Sequence, residues 1–268
     1  LENPAQLLGP HSIYCGDRQA VAVRAYLPNS EQVWIVDNKH QSVQPMRRIH
    51  PSGFFEAICP VDSLETNGYR LRVASKNGEI SEMHDPYAVP PLLTDFDLFL
   101  FGQGNHWKLY EKLGAHRREV NGVRGVNFAV WAPNGDSVQV VGDFNHWDGS
   151  AHLMRKHIPS GVWELFVPGL EAGEKYKFRI RTRSGGTVDK TDPFGFYAEL
   201  PPRTASLVYP LANYAWNDQE WMDSRSKCNP LDGPINIYEL HLGSWRRDPD
   251  GHHGWMNYRR IARDLVAY

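Results

Sequence analysis

Residues 25–36 read AYLPNSEQVWIV and residues 130–141 read VWAPNGDSVQVV, and the second stretch is a reworked copy of the first. Working outward, PMRRIHPSGFFEAICP from Pro45 matches LMRKHIPSGVWELFVP from Leu153. Further on, GYRLRVASKNGEISEMHDPYAV around Tyr69 matches KYKFRIRTRSGGTVDKTDPFGF from Lys175. The three blocks keep their order at an offset of about 105 to 108 residues, a domain length far longer than a solenoid repeat. The chain therefore contains a duplicated domain.

Each copy is patterned as β structure. Val138, Val140 and Gly142 alternate with other residues, as do Trp163, Leu165 and Val167, and again Tyr176, Phe178 and Ile180. Pro133-Asn134, Ser160-Gly161, Ser184-Gly185 and Asn77-Gly78 supply hairpin turns between such strands. Short strands at this spacing predict a mostly β fold with two tandem immunoglobulin-like β-sandwiches. Alternation also predicts core positions for Trp163 and Trp131. The connector, residues 90–114, carries Phe96, Leu98, Phe99, Leu100 and Phe101, too many apolar groups for a free linker, and is expected to pack on both sandwiches. After Pro234 the pattern changes. Ile235, Ile237, Tyr238, Leu240 and Leu242 read as a strand buried on both faces, and Tyr258, Ile261, Ala262, Leu265 and Val266 as an amphipathic helix capped by Asn257. One βα unit cannot bury its own strand, so this segment is expected to begin a truncated (β/α)8 barrel. The expected domains are residues 1–104, 105–224 and 225–268.

Composition excludes several classes. Of the 268 residues, 41% are aliphatic, aromatic or Cys and 22% are charged, which rules out a disordered chain, a fibre or a long coiled coil. No apolar run approaches the roughly 18 residues that cross a bilayer, and the N-terminus lacks a secretory-signal layout, so no membrane partner and a cytoplasmic location are expected. A formal charge of −2 gives no basic surface for nucleic acid. Cys15, Cys59 and Cys228 have no metal or disulfide spacing and are expected as free thiols. The closest histidine cluster, His252-His253, reads as a loop, so neither a metal nor a cofactor is expected. The nine Trp residues stand out, because aromatics at turns and strand ends offer flat surfaces that suit neutral sugar rings.

Specific strings then carry a resemblance. GDFNHWDG, residues 142–149, with FAVWAPN before it and GVWELFVPG after it, resembles the starch- and glycogen-binding sandwich of carbohydrate-binding module family 48. IYELHLGSWRR, residues 237–247, resembles the first barrel strand of bacterial glycogen branching enzymes in glycoside hydrolase family 13. LLGPH near the start, DFDLFLFGQGNHWKLYEKLGAH in the connector and PPRTAS after the second sandwich agree. The resemblance implies the N-terminal portion of a retaining transferase that cleaves α-1,4-glucan and rejoins the segment through an α-1,6 bond. Its partners would be α-glucan and the missing catalytic barrel of the same protein. No carboxylate here matches a catalytic position, so none is assigned; Glu239 is read as structural.

For sugar binding the resemblance points to Trp147 as a stacking platform, with Lys177 and Asn145 bonding hydroxyls at the rim. Family modules place a second Trp in the next hairpin, where this chain has Gly185, Gly186 and Thr187. Asp143 and Asn145 are also read as turn-shaping residues. The first copy has VDNKHQSV at residues 36–43, without the Trp or the GDFN turn, and is expected to be a spacer or interaction domain, with Trp34 leaving a secondary site open. The alternatives are a noncatalytic glucan-targeting module, or the leading part of a related debranching or trehalose-forming hydrolase.

Overall fold

The computed structural model describes residues 3–37, 42–61, 64, 68–211, 214–248 and 254–268. They form two compact units, Leu1–Asn213 and Tyr214–Tyr268. In the first unit, one antiparallel sheet contains β1 (Gly9–Cys15), β2 (Arg18–Tyr26), β5 (Arg47–His50) and β6 (Phe54–Pro60) in the order β1-β2-β6-β5. The facing sheet contains β3 (Ser30–Asp37), β4 (Ser42–Pro45), β7 (Arg70–Ser75) and β8 (Ile80–His84) in the order β4-β3-β7-β8.

The second sandwich repeats this plan. β9 (Gly114–Val120), β10 (Val123–Trp131), β12 (Arg155–His157) and β13 (Val162–Pro168) run β12-β13-β10-β9. Opposite them, β11 (Gly135–Gly142), β14 (Lys175–Thr182), β16 (Tyr197–Ala198) and β17 (Ser206–Leu207) run β11-β14-β17-β16, with β15 (Thr187–Lys190) also on β14.

The duplication holds at the level of single residues. A register shift between Ser30 and Gln32 in the first copy recurs between Gly135 and Ser137 in the second. Gly53 and Gly161 both take positive φ, and a Cβ on either would collide with Pro28 or Pro133, the turn proline of the same copy. In each copy a buried tyrosine donates to a buried aspartate: Tyr69 to Asp85 at 2.5 Å and Tyr176 to Asp192 at 2.6 Å. The second carboxylate oxygen accepts a backbone N–H two residues on, from Tyr87 or Phe194. The pairing anchors the segment that follows β8 in one copy and β15 in the other, and leaves neither buried carboxylate unpartnered.

Asp85 is pushed up to about 6 from 3.8, first by burial, against the opposing hydrogen bonds from Tyr69 and Tyr87. Because its folded pKa lies above its unfolded value, its stabilising contribution is full below about pH 4 and is lost as pH rises through 6. Asp85→Asn keeps the acceptor but not the titration. Its stability relative to wild type is expected to improve by about 3 kcal/mol between pH 4 and pH 7, at 1.36 kcal/mol per pKa unit. Urea unfolding at both pH values measures this, and a pH-independent difference would contradict it.

The alternating residues fill the cores as expected: Val138, Val140, Trp163, Tyr176 and Phe178 are fully buried, and Trp163 donates its indole N–H to the Ala132 carbonyl at 2.9 Å. Trp131 does not join them and is 54% exposed. Val126, Phe128 and Val130 point into the core, so Ala129 and Trp131, in the opposite phase, face outward. There the connector covers the sheet. Its helix α1 (Asp95–Gly102) brings Phe101 edge-on to Trp131 at 6.1 Å, and Leu93, Leu113, Ala129 and Val162 form a small separate core. The connector thus packs on the second sandwich. The first sandwich is met by the stretch just before it, where the Tyr87 hydroxyl bonds Leu153 of the second copy while Tyr87 lies against Gly9 of the first.

Glu164 pins the connector down. It is 1% exposed, and its Oε1 accepts the Leu92 and Leu93 N–H groups and Asn127 Nδ2 at 2.9 to 3.0 Å. Its Oε2 meets His157 Nε2 at 2.7 Å. Farther along, Thr94 and Asp97 form a capping box at the start of α1.

The unit Tyr214–Tyr268 contains α2 (Gln219–Lys227), α3 (Leu242–Trp245) and α4 (Tyr258–Ala267). The expected helix is present as α4, and Asn257 caps it as expected, its side chain accepting the Arg260 N–H at 3.0 Å. The expected strand over residues 235–242 is absent: 235–241 form no strand and Leu242 begins α3. A strand exists only by pairing, and no described segment pairs with these residues, so their apolar side chains, including Ile237 and Tyr238, stay exposed. The barrel start is thus not formed, and Glu239 lies exposed outside any strand. His252 and His253 lie outside the described residues. No helix among the described residues is long and apolar enough to cross a membrane.

Candidate functional site

The site begins at Gly142, the last residue of β11, which pairs with Tyr176. A Cβ there would stand 2.1 Å from the Lys175 carbonyl oxygen and 2.6 Å from Phe144 Cε1, so only glycine fits between strand and turn. Asp143–Asn145 then make one turn of 3-10 helix, and His146 and Trp147 take left-handed conformations with φ of 52° and 61°. Phe144 points inward, stacked on Phe128 and edge-on to His152. The turn throws Trp147 outward, where it is half-buried.

Asn145 is what holds the turn. Its Oδ1 accepts the Gly142 N–H at 2.9 Å, and its Nδ2 donates to the Val140 carbonyl at 3.0 Å and to His152 Nδ1 at 3.2 Å. The side chain is thus engaged within the turn, which fits the turn-shaping role expected of it. The Trp147 indole N–H donates to Asp143 Oδ1 at 2.9 Å, fixing the ring plane. Lys175 Nζ lies 3.3 Å from Asp143 Oδ2. The Trp147 bond, then the Lys175 bond, hold the Asp143 carboxyl below its ordinary value, so it is ionised and accepts from both.

Strand β14 supplies the floor. Tyr176 and Phe178 face the core, so Lys175, Lys177 and Arg179 face out on the Trp147 side. Arg179 Nη1 donates to the Trp147 carbonyl at 3.0 Å and grips Asp189 of β15 through two bonds of 2.8 and 2.9 Å. Lys177, two residues away on the same face, donates to Thr204 Oγ1 at 2.7 Å. The structure therefore gathers Trp147 and Lys177 on one sheet face, with Asn145 beneath the turn. Arg179, Asp189 and Thr204 complete the face. Arg179 was visible in the alternation of KYKFRIR; Thr204 arrives from 27 residues away and had no local signal.

The first copy differs where the turn begins. Asp37 occupies the position of Gly142 and pairs with Ser42, so β3 is paired to its end with β4. Trp34 is half-buried in β3, across from Pro45 and Arg72.

The same division appears in comparison with known proteins. Residues 1–87 match the model for the "alpha-1,4-glucan branching enzyme GlgB, N-terminal domain", and residues 112–195 match "Carbohydrate-binding module 48 (Isoamylase N-terminal domain)". The 1,4-alpha-glucan branching enzyme GlgB of Rhodopirellula baltica is 49% identical over 99% of this chain and 36% of its own length. Those of Thermosynechococcus vestitus and Rubrobacter xylanophilus are 48% and 47% identical over 99% of this chain, and 37% and 35% of theirs. The chain thus spans little more than a third of the curated relatives it matches. Two family models in this order, together with near-full coverage of the chain at this identity, place these 268 residues in the N-terminal part of the GlgB branching-enzyme family.

Proposed function

We propose that the second sandwich binds linear α-glucan on the sheet face carrying Trp147 and Lys177, and so positions substrate for a branching reaction catalysed elsewhere in a longer cytoplasmic protein. That reaction transfers α-1,4-glucan segments into α-1,6 branches, and its catalytic carboxylates lie outside this chain. The observation that carries the reading is Trp147 itself. A half-buried indole is held by its own N–H to Asp143 and by its carbonyl to Arg179, which leaves a pre-oriented apolar face beside polar side chains. A pyranose presents C–H groups to such a face and hydroxyls to its rim, where Lys177 and Thr204 stand. Asn145 contributes by shaping the turn. The first sandwich, whose sequence has neither the GDFN string nor its Trp, takes no part at this face.

Stacking on one indole with a few hydrogen bonds is worth little, so affinity for maltoheptaose is expected near millimolar. Trp147→Ala is expected to weaken binding at this face by at least about tenfold while leaving the fold intact. Titration followed by tryptophan fluorescence and by chemical shifts of the β14 amides measures this. A wild-type affinity read from the β14 shifts of the variant would refute the assignment.

A further inference from the structure

The two sandwiches enclose between them a groove of about 750 Å³, within the range of small-molecule sites. It lies on the inner side of the residue 143–152 loop, whose outer side presents Trp147. One wall comes from the first sandwich, with Asn29, Ser81 and His84; the other comes from the second, with His146, Ser150 and His152. Asn29 Nδ2 donates to Asp148 Oδ2 at 3.0 Å, tying the two walls together.

His152 is the informative residue. It is 6% exposed, and its Nδ1 accepts from Asn145, which leaves the ring proton on Nε2. His152 lines the groove, and its Nε2 has no acceptor among the described residues. Burial lowers its pKa to about 4 from 6.5, so it is a neutral donor at neutral pH. His84 and Ser81 likewise have no side-chain partner among the described residues and line the same groove. His152 is buried, His84 partly buried and Ser81 exposed, so the groove offers polar groups at graded depth to a ligand.

The chemistry of the walls selects the ligand. Imidazole, hydroxyl and amide groups offer both donors and acceptors, and of the lining carboxylates Glu82 is paired with Arg72 and Asp148 is bonded by Asn29, so among the described residues the walls carry no unpaired cation that would select an anion. The floor, with Leu27, Met83, Phe144 and Leu170, is apolar. A neutral ligand with alternating hydroxyl and C–H surfaces matches both. We infer that the groove between the sandwiches is a second α-glucan site, separate from the Trp147 face and built jointly by the two copies. This rests on the reading that the chain binds α-glucan, and it gives the first sandwich a direct part in holding the polymer. A chain of glucose units seated in the groove would run past the inner side of the loop while another segment stacks on Trp147.

The test is maltoheptaose titration of the whole 268-residue chain, followed by the ring resonances of His84, His146 and His152 and by the amides of β14. Ser81→Trp fills the groove from an exposed strand position, and His84→Ala removes a donor without adding bulk. Expected are ring shifts that persist in Trp147→Ala, and a loss of at least about tenfold in groove affinity in both groove variants with the β14 response retained. Ring shifts that vanish in Trp147→Ala would overturn the separate site while leaving glucan binding at the Trp147 face standing. Ring shifts unchanged in both groove variants would also overturn it. No response at either set of resonances in wild type would sink both the groove and the reading beneath it.

Discussion

Glu164→Leu will lower the unfolding free energy by about 3–5 kcal/mol, the cost of removing one member of a buried charged network. The carboxylate is almost fully enclosed and satisfies two backbone N–H groups, the Asn127 amide and His157. Leucine leaves all four donors without an acceptor in a site that water does not reach. Glu164→Gln keeps one acceptor oxygen, so its loss should be about half as large. Urea unfolding gives the energies, and hydrogen exchange at Leu92 and Leu93 locates the damage. Those two amides should exchange far faster in the leucine variant, while Val138 and Val140 keep most of their relative protection. A loss below about 1 kcal/mol would mean that the connector is held by its apolar contacts alone.

The second large effect is expected at Gly142. A methyl group there would overlap the Lys175 carbonyl and the Phe144 ring. Relief requires β11 to part from β14 or Phe144 to leave the core, and overpacking of this kind costs about 3 kcal/mol. The effect should also reach Trp147, because Gly142 donates to Asn145 and its carbonyl accepts the Trp147 N–H at 2.8 Å. Gly142→Ala is therefore expected to lose both stability and the glucan response of the β14 amides, whereas Trp147→Ala loses only the response. Thermal unfolding and the maltoheptaose titration separate the two. A Gly142→Ala chain with wild-type stability would show that the loop yields more cheaply than the geometry implies.

Much of this fold was legible because its signals are local. Alternation marks the faces of β11, β13 and β14, and Pro-Asn and Ser-Gly pairs mark the turns that join strands. The same alternation, carried one residue farther along β10, puts Trp131 out of phase with Val130, so its outward position was readable too. Residues 235–242 misled for a different reason. Their apolar run satisfies a buried strand only when other strands flank it, and a local pattern does not reveal whether partners exist. At the site, GDFNHW disclosed the turn and its Trp, and the structure shows Asn145 engaged within that turn. Thr204, by contrast, joins Lys177 through the tertiary path of the chain.

Gly9 and Gly114 carry one more consequence. Each begins the first strand of its copy, and each lies against the backbone just beyond that copy's Tyr–Asp pair: a Cβ would stand 2.7 Å from the Tyr87 carbonyl oxygen, or 3.0 Å from that of Phe194. In the first copy the chain thus departs where it enters, whereas the second continues into β16 and β17. A module closed in this way can be spliced into a polypeptide at a single point without stretching what lies on either side. Tandem duplication of such a cassette needs only a connector, and a circularly permuted version of the first copy, its old ends joined by a short loop, should retain the same strand order.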